Sequence, residues 1–437
     1  MSHLPPSLAV TVTIALTALA PAAHAIAPKP VDHGQLPAPA APAPPGRTEQ
    51  SERCAAMKSA EDRPARQLDM FNLAAVWPLS RGSGQTVAVI DTGVARHRLL
   101  PHLVGGGDYV SSGDGTQDCD GHGTVIAGLI AAAASDTGPG TFRGVAPEAV
   151  IMAIRQSSNK FRIVDDREIS GVGDVETLAR AVRSAADAGA TVINISSVAC
   201  MPATDPLDDR SLGAALAYAV EVRNVVVVSA AGNASGECAQ QNPVSDPKHP
   251  GVPDWDNVRS VVSPAWYDDY VLTVGSVGPN GAPSQFSLAG PWVDVAAPGE
   301  SVVSLSSQGD GLVDSRADAR PLSGTSFAAP VVSGVVALVR SRFPQLSAQQ
   351  VMARIEETAH HPADSWNAQV GRGVVDPLAA VSGGDGPAPV PMPVTTAQAA
   401  PGSGPDHRPS RRIAFLGTAV CIAVAAVAVT GRRRSRR

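Results

Sequence analysis

The chain has 437 residues, of which 44% are hydrophobic and 17% charged, and this balance excludes disorder throughout and supplies a large core. Aromatic residues make up only 4%, which suits an α/β core built from small and β-branched side chains. The last 30 residues hold eight Arg and no acid, so residues 1–407 carry a formal charge of −14, which argues against a nucleic-acid partner.

The N-terminal region predicts a signal peptide followed by an extension. Residues 4–20 are apolar, and Ala23-His24-Ala25 has the small-x-small pattern that signal peptidase cleaves, so residues 1–25 are the predicted signal peptide. The segment before the apolar run lacks Lys and Arg, which leaves an uncleaved anchor as the alternative. Residues 26–65 form a Pro-rich extension, and its Pro/Ala-rich part, residues 26–46, cannot bury enough apolar surface to fold alone.

Strand and helix patterns alternate through the central block. Strands are predicted at 86–91, 149–155, 191–196, 225–232 and 270–277, and helices at 125–134, 177–189 and 211–223. This alternation predicts a parallel sheet with helical crossovers, whose active site lies at the carboxyl ends of the strands. Asp91 and Asn233 both follow such an end.

Three short motifs carry the residues of a nucleophilic triad. VIDTG contains Asp91, DGHGT contains His122, and SGTSFAAP contains Ser326. Each residue alone has an ordinary explanation, as a turn residue, a surface or core histidine, or a helix cap. Together they predict a Ser activated by a His that an acid orients. A lipase-type hydrolase is disfavoured, because Ser326 lacks a G-x-S-x-G elbow.

Two further features fit acyl transfer. Ser326 heads an apolar segment that predicts a buried helix, and the positive end of its dipole would stabilise a developing oxyanion. Pro330 leaves the start of that helix uncertain. Asn233, in SAAGN, can supply a side-chain amide to the oxyanion, although Asn after Gly is also an ordinary turn.

Four cysteines precede the C-terminal region, and a fifth, Cys421, lies alone in a late apolar run. Four cysteines allow three pairings, and free buried cysteines are the alternative. We favour Cys54–Cys119 and Cys200–Cys238. Cys200 and Cys238 each follow a strand pattern, and the carboxyl ends of neighbouring parallel strands meet at one edge of the sheet.

The C-terminal region predicts a stalk and a membrane anchor. Residues 382–410 are rich in Pro and read as a semi-extended stalk. Residues 411–431 contain an uncharged run that is long enough to span a bilayer, with a buried core helix as the alternative. Residues 432–437 form the predicted basic cytoplasmic tail, which places the catalytic domain on the extracytoplasmic side.

Residues 66–381 resemble the subtilases, through the three triad motifs, AAGN and DVAAPG at 294–299. The resemblance implies a three-layer α/β/α sandwich around a mainly parallel sheet and a serine endopeptidase acting on proteins or peptides. It also implies Asp91 as the acid, His122 as the base, Ser326 as the nucleophile and Asn233 as the oxyanion donor. The implied substrate cleft is lined by Ser196, Ser197, Val198, Ala230, Ala231 and Gly232. The usual Ser-Leu-Gly is Ser-Ser-Val here, which changes the expected cleft depth and side-chain preference, and the Met that often follows the nucleophile is Phe327.

The wider layout resembles the mycosins, the membrane-anchored proteases of actinobacterial type VII secretion systems. That resemblance implies a partner in the secretion membrane complex, attachment by one C-terminal transmembrane helix, and an N-terminal extension that wraps the catalytic domain. The alternative is a mainly structural subunit of that complex whose proteolysis is dispensable.

No cofactor and no metal are expected. Many subtilases bind calcium, but the sequence shows no dense Asp/Asn loop of the kind that hard cations need. We expect Asp165-Asp166 and Asp208-Asp209 to be solvated loop charges. Insertions at 156–174 and 239–266 are expected to shield the cleft or to dock a partner.

Overall fold

The computed structural model describes residues 26–28, 30–60, 65–133, 142–165, 171–205, 208–244 and 248–383. The predicted signal peptide, nearly all of the stalk, the predicted transmembrane segment and the basic tail lie outside these ranges. Within them, no helix combines the length and apolarity that crossing a bilayer requires.

The described residues contain fourteen strands and seven α-helices. The strands are β1 (Thr48–Gln50), β2 (Met57–Ser59), β3 (Thr86–Asp91), β4 (Leu103–Asp108), β5 (Val150–Arg155), β6 (Phe161–Ile163), β7 (Val192–Ile195), β8 (Ala199–Pro202), β9 (Val226–Ala230), β10 (Ser260–Ser263), β11 (Val271–Val277), β12 (Val295–Pro298), β13 (Ser304–Leu305) and β14 (Leu312–Arg316). The helices are α1 (Leu73–Val76), α2 (His122–Ala131), α3 (Val175–Asp187), α4 (Arg210–Ala217), α5 (Thr325–Arg342), α6 (Ala348–Glu357) and α7 (Pro377–Val381).

A seven-stranded parallel sheet forms the centre of the fold. Its order is β12-β11-β9-β7-β3-β5-β4, and every neighbouring pair is parallel. Helices α2 and α5 pack on each other and on the sheet, while α3 and α4 form a second pair that contacts the sheet through α3. The sheet is therefore enclosed by helices, and this explains why β7, β9 and β11 are buried along their whole length.

The local sequence accounts for the main helices. Helix α3 begins at a capping box in which the Asp174 carboxylate accepts from the Thr177 N–H, and its apolar face is buried. Helix α5 is buried almost all round and continues through Pro330, so its start lies at Thr325 and not beyond the proline. Ser326 is therefore in the first turn.

The described part of the segment 26–65 lies on the domain and adds edge strands to it. Strand β1 pairs antiparallel with β6, and β2 pairs antiparallel with β14. Between these strands and the N-terminus, Pro42 packs against Gly107, where a Cβ would collide with the proline ring. The strands of this segment thus form their β-sheet hydrogen bonds with strands of the domain, as expected of a segment that cannot fold alone.

The expectation that Asp209 is a solvated loop charge is wrong. Its carboxylate is fully buried and accepts hydrogen bonds from Ser263 Oγ (2.6 Å), Trp266 Nε1 (2.8 Å) and the Tyr267 hydroxyl (2.8 Å). Burial raises the pKa of Asp209, against the opposing effect of these donors. Three donors from the 263–267 segment satisfy the charge, and nothing in the local sequence of Asp209 indicates them.

Candidate active site

The sheet gathers the predicted site residues at the carboxyl ends of its strands. Asp91 is the last residue of β3, and Asn233 lies three residues beyond β9. His122 begins α2, and Ser326 lies in the first turn of α5. Since α2 and α5 pack together, their N-termini bring His122 and Ser326 to the same cleft.

Asp91 and His122 form a close pair. His122 Nδ1 lies 2.7 Å from Asp91 Oδ1, with the carboxylate fully buried and the imidazole 27% exposed. The Thr92 N–H also donates to Asp91 Oδ1, at 2.8 Å, which fixes the carboxylate. With Nδ1–H given to the carboxylate, Nε2 is left as the proton acceptor.

The pKa of His122 lies above its ordinary value. Burial of the ring lowers it, but the charge of Asp91 and the hydrogen bond to it raise it more, and Asp118 adds to that effect. Arg316 acts in the opposite direction. The site therefore stabilises an imidazolium, the state that a general base reaches after taking a proton.

Ser326 and Asn233 face one small volume. A Cβ built on Gly324 would lie 3.1 Å from Ser326 Oγ and 3.5 Å from Asn233 Nδ2. The Phe327 ring lies beside the His122 ring, with their centroids 5.4 Å apart. The hydroxyl, the amide and the imidazole thus border the same part of the cleft.

The orientation of Asn233 follows from its partners. The Thr325 N–H and hydroxyl both donate to Asn233 Oδ1, at 3.0 and 3.2 Å. Since a backbone N–H can only donate, Oδ1 must face Thr325 and the amino group must face away from it. An amide held in this way can donate to a developing oxyanion beside Ser326.

The cleft has a volume of about 830 Å³ and is walled partly by the N-terminal segment. Arg53–Met57 line one side, together with Arg316, Leu322 and Phe327. Of the predicted substrate-binding residues, the lining includes Ser196, Ser197 and Val198. The other three are buried, and their place in the substrate cleft stays a prediction: Ala230, Ala231 and Gly232.

Both predicted disulfides are present beside the cleft. Cys54–Cys119 and Cys200–Cys238 have Cα–Cα distances of 4.5 and 5.4 Å, and Cys54 and Cys238 line the cavity. Strands β7 and β9 are neighbours, as the pairing of Cys200 with Cys238 requires. The first bridge attaches the 26–65 segment three residues before His122.

Sequence reasoning missed Asp118. This buried carboxylate lies four residues before His122 and accepts hydrogen bonds from both sides of the Asp91–His122 pair. The only signal available was its place two residues before the DGHGT motif. In the part of the chain that the structure describes, no three His, Cys, Asp or Glu side chains are grouped so that they could hold a metal ion.

Comparison with known proteins agrees with this geometry. The family model described as "Subtilase family" matches residues 82–378. Mycosin-4 of Mycobacterium tuberculosis is 54% identical over 433 residues, covering 95% of this chain and 93% of that protein.

Two solved structures are also similar. The MycP3 protease from the type VII (ESX-3) secretion system is 44% identical, with a TM-score of 0.75 over 82% of this chain and all of that one. A chain of the periplasmic assembly from the ESX-5 inner membrane complex is 41% identical, with a TM-score of 0.76 over 87% of this chain and all of that one. The resemblance drawn from the motifs and layout is confirmed: the chain is a subtilisin-like serine protease that belongs to the subtilase family and, within it, to the mycosins.

Proposed function

We propose that this protein hydrolyses peptide bonds through Ser326, His122 and Asp91, with Asn233 as an oxyanion donor. His122 Nε2 takes the Ser326 hydroxyl proton as Oγ bonds to the scissile carbonyl carbon. The imidazolium then gives that proton to the leaving amine, and an acyl-enzyme remains. Water, activated by the same imidazole, releases the acid and restores Ser326.

One observation carries this proposal. The buried Asp91–His122 hydrogen bond lies in the same cleft as a Ser hydroxyl and an amide that converge on one position. A peptide extends between Ser196–Val198 and Ala230–Gly232, the two segments predicted to line the cleft. At the start of α5 the Thr325 N–H donates to Asn233 Oδ1 and the Phe327 N–H donates to the Gly324 carbonyl, which leaves the Ser326 N–H to add to the oxyanion site.

The peptidase test compares the purified full-length chain with its Ser326→Ala variant on a peptide library. We expect cleavage products that are absent with Ser326→Ala, and mass spectrometry of the new termini gives the side-chain preference. Equal products from both proteins would refute the assignment of Ser326.

We further propose an extracytoplasmic protease in a secretion membrane complex. It has a signal peptide at 1–25, an extension at 26–65, a peptidase domain at 66–381, a stalk at 382–410, an anchor at 411–431 and a cytoplasmic tail at 432–437. The similarity to a chain of the ESX-5 periplasmic assembly supports both the location and the partner. Protease added outside spheroplasts should cut the stalk, and protection of that stretch would refute the orientation.

The same similarity favours a second role, that of a structural subunit whose presence stabilises the complex. A strain that carries Ser326→Ala should be compared with a strain that lacks the whole gene. If secretion persists with Ser326→Ala but is lost on deletion, the structural role holds alongside proteolysis. If both strains lose secretion equally, no separate structural role is needed.

A further inference from the structure

Asp118 is buried beside the triad without being part of it. It is only 8% exposed and does not line the cleft. Oδ1 accepts from Thr92 Oγ1 (2.8 Å) and the Gly121 N–H (2.7 Å), and Oδ2 accepts from the Thr124 N–H (2.8 Å) and hydroxyl (2.6 Å). Four donors around one carboxylate form a closed network.

The network joins the two elements that carry the Asp91–His122 pair. Thr92 follows Asp91 directly, and its N–H holds Asp91 Oδ1. Thr92 Oγ1 also accepts from the Gly123 N–H at 3.0 Å. This hydrogen bond joins the turn that follows Asp91 to the residue that follows His122. Gly121 and Thr124 flank His122 from the other side, and Asp118 bonds to both.

Burial disfavours the ionised form of Asp118, and the negative charge of that form acts on His122. Burial raises its pKa to about 6, with the charge of Asp91 adding a smaller increment, so its ionised form is disfavoured by the surroundings. None of the described cations forms an ion pair with it. Its charge raises the pKa of His122, together with Asp91 and against Arg316. A buried carboxylate kept without a cation beside a catalytic pair points to a role in that pair.

We infer that Asp118 is a positioning residue, which holds the turn of Asp91 and the start of α2 in register and adds its charge to the field at His122. This inference rests on the proposed peptidase function. The competing explanation is a helix cap only. The N-cap residue of α2 is Gly121, whose lack of a side chain leaves Asp118 to accept the first free N–H groups. A cap alone contributes stability and leaves the base's pKa unchanged.

The test uses Asp118→Asn, which is nearly isosteric and removes the charge. Asp209→Asn is the matched control, because Asp209 is also a buried carboxylate with several donors, but those donors come from the 263–267 segment and not from the turns that carry Asp91 and His122. The pKa of His122 is measured by NMR of its Cε1–H in full-length protein carrying Ser326→Ala. The steady-state kinetics and the melting temperature are measured in protein that retains Ser326.

For Asp118→Asn we expect the pKa of His122 to fall by about half a unit. We expect kcat to fall about tenfold or more, because the base is displaced, with KM unchanged since Asp118 does not face the cleft. Asp209→Asn should lower the melting temperature but leave the pKa of His122 and kcat as they are. If Asp118→Asn also changes only the melting temperature, Asp118 is a cap and the inference is wrong.

A second pair keeps the test valid if Asp118→Asn does not fold. Thr92→Val removes the hydroxyl that joins Asp118 to Gly123, and Thr92→Ser retains it. Thr92→Val should lower kcat about tenfold and Thr92→Ser should restore it, whereas equal kcat values would overturn the inference. The NMR measurement of the pKa of His122 does not require the protein to be catalytically active. An inactive wild type with the expected shift would therefore refute the proposed function and leave the effect of Asp118 on His122 standing.

Discussion

Asn233 shows how a single residue is prepared for its task. Its Oδ1 is occupied by two donors from Thr325, so the amino group is directed without any other side chain having to hold it. Thr325 is adjacent to Ser326, so the same turn of α5 positions both the nucleophile and the oxyanion donor. This coupling explains why a small, half-buried amide can act at a defined point.

Replacing Asn233 by Ala should lower kcat by about 10²–10³, with KM nearly unchanged, because the amide is needed when the oxyanion forms. Steady-state kinetics on the best library peptide measures this. Asn159→Ala, the control, removes another side chain that lines the cleft and should leave kcat near that of wild type. A kcat for Asn233→Ala within twofold of wild type would exclude the oxyanion role.

His122 should set the acidic limb of the pH profile. The base must be neutral, so activity falls as the pH drops through its pKa, which the charge of Asp91 holds above the ordinary value of a histidine. Arg316 is exposed and lowers this pKa through its charge. Arg316→Ala should therefore move the acidic limb of kcat/KM to higher pH by a few tenths of a unit, and added salt should shrink the difference. A move to lower pH would contradict the sign.

The triad could be predicted from sequence because each member lies in a short Gly-containing motif and the order is distinctive. The contribution of Asp118 could not, since its four donors come from Thr92, Gly121 and Thr124 only after the turn has folded. Ala230–Gly232 are buried at and after the end of β9, and their place in the substrate cleft stays a prediction from the resemblance.

At the scale of elements, the 26–65 segment contributes a wall of the cleft through short contacts. Met57, in β2, packs against an apolar cluster that includes Val125 of α2 and Phe327 of α5. The Ala55 N–H donates to the Cys119 carbonyl at 2.8 Å, beside the disulfide. Three-residue strands such as β1 and β2 have no sequence signature, because their hydrogen bonds come from β6 and β14.

Removing the Cys54–Cys119 bridge with paired Ser substitutions should free this segment. The bridge closes a loop with a sequence separation of 65, and its loss should lower the free energy of unfolding by up to about 4 kcal/mol. Limited proteolysis should then cut near residues 51–60 before the domain unfolds. The Cys200→Ser/Cys238→Ser pair is the control and should leave that stretch protected. Equal protection in both variants would show that β-pairing alone holds the segment.

The central strands were predicted because buried parallel strands are apolar on both faces. β3, β5, β7, β9 and β11 lie within the predicted ranges. Strand β4 was missed since its LVGGGD sequence resembles a loop, and it forms because β5 supplies a parallel edge. The start of α5 was likewise open from the sequence, because Pro330 lies near it. Burial of α5 on nearly every face outweighs the one backbone hydrogen bond that the proline removes.

For the whole molecule, a group of carboxylates couples stability to pH. Burial raises the pKa of Glu356 to about 7, and Asp268 and Glu357 add to the rise against Arg372. The pKa of Asp294 is also raised, by burial and by the charges of Asp268 and Glu356. Because these folded-state pKa values exceed the unfolded ones, the stabilisation is present in acid and is lost as the pH rises through about 7.

Glu356→Gln should therefore raise the melting temperature at pH 8 by about 2–4 °C, the equivalent of about 1 kcal/mol, and leave it nearly unchanged at pH 4.5. Calorimetry across this range measures the effect. Glu357→Gln, on the next and exposed residue, is the control and should change the slope little. A larger loss of stability at pH 8 than at pH 4.5 would reverse the sign and contradict the account.

Active-site labelling with a fluorophosphonate tests most directly whether the cleft is a working serine protease. The full-length chain, with Ser326→Ala and His122→Ala as controls, is incubated with the probe and digested for peptide mapping. We predict one label per chain, on Ser326, with none on Ser326→Ala and a label at least about 10²-fold slower on His122→Ala. No label on the wild type, or a label at the same rate without His122, would contradict the central claim.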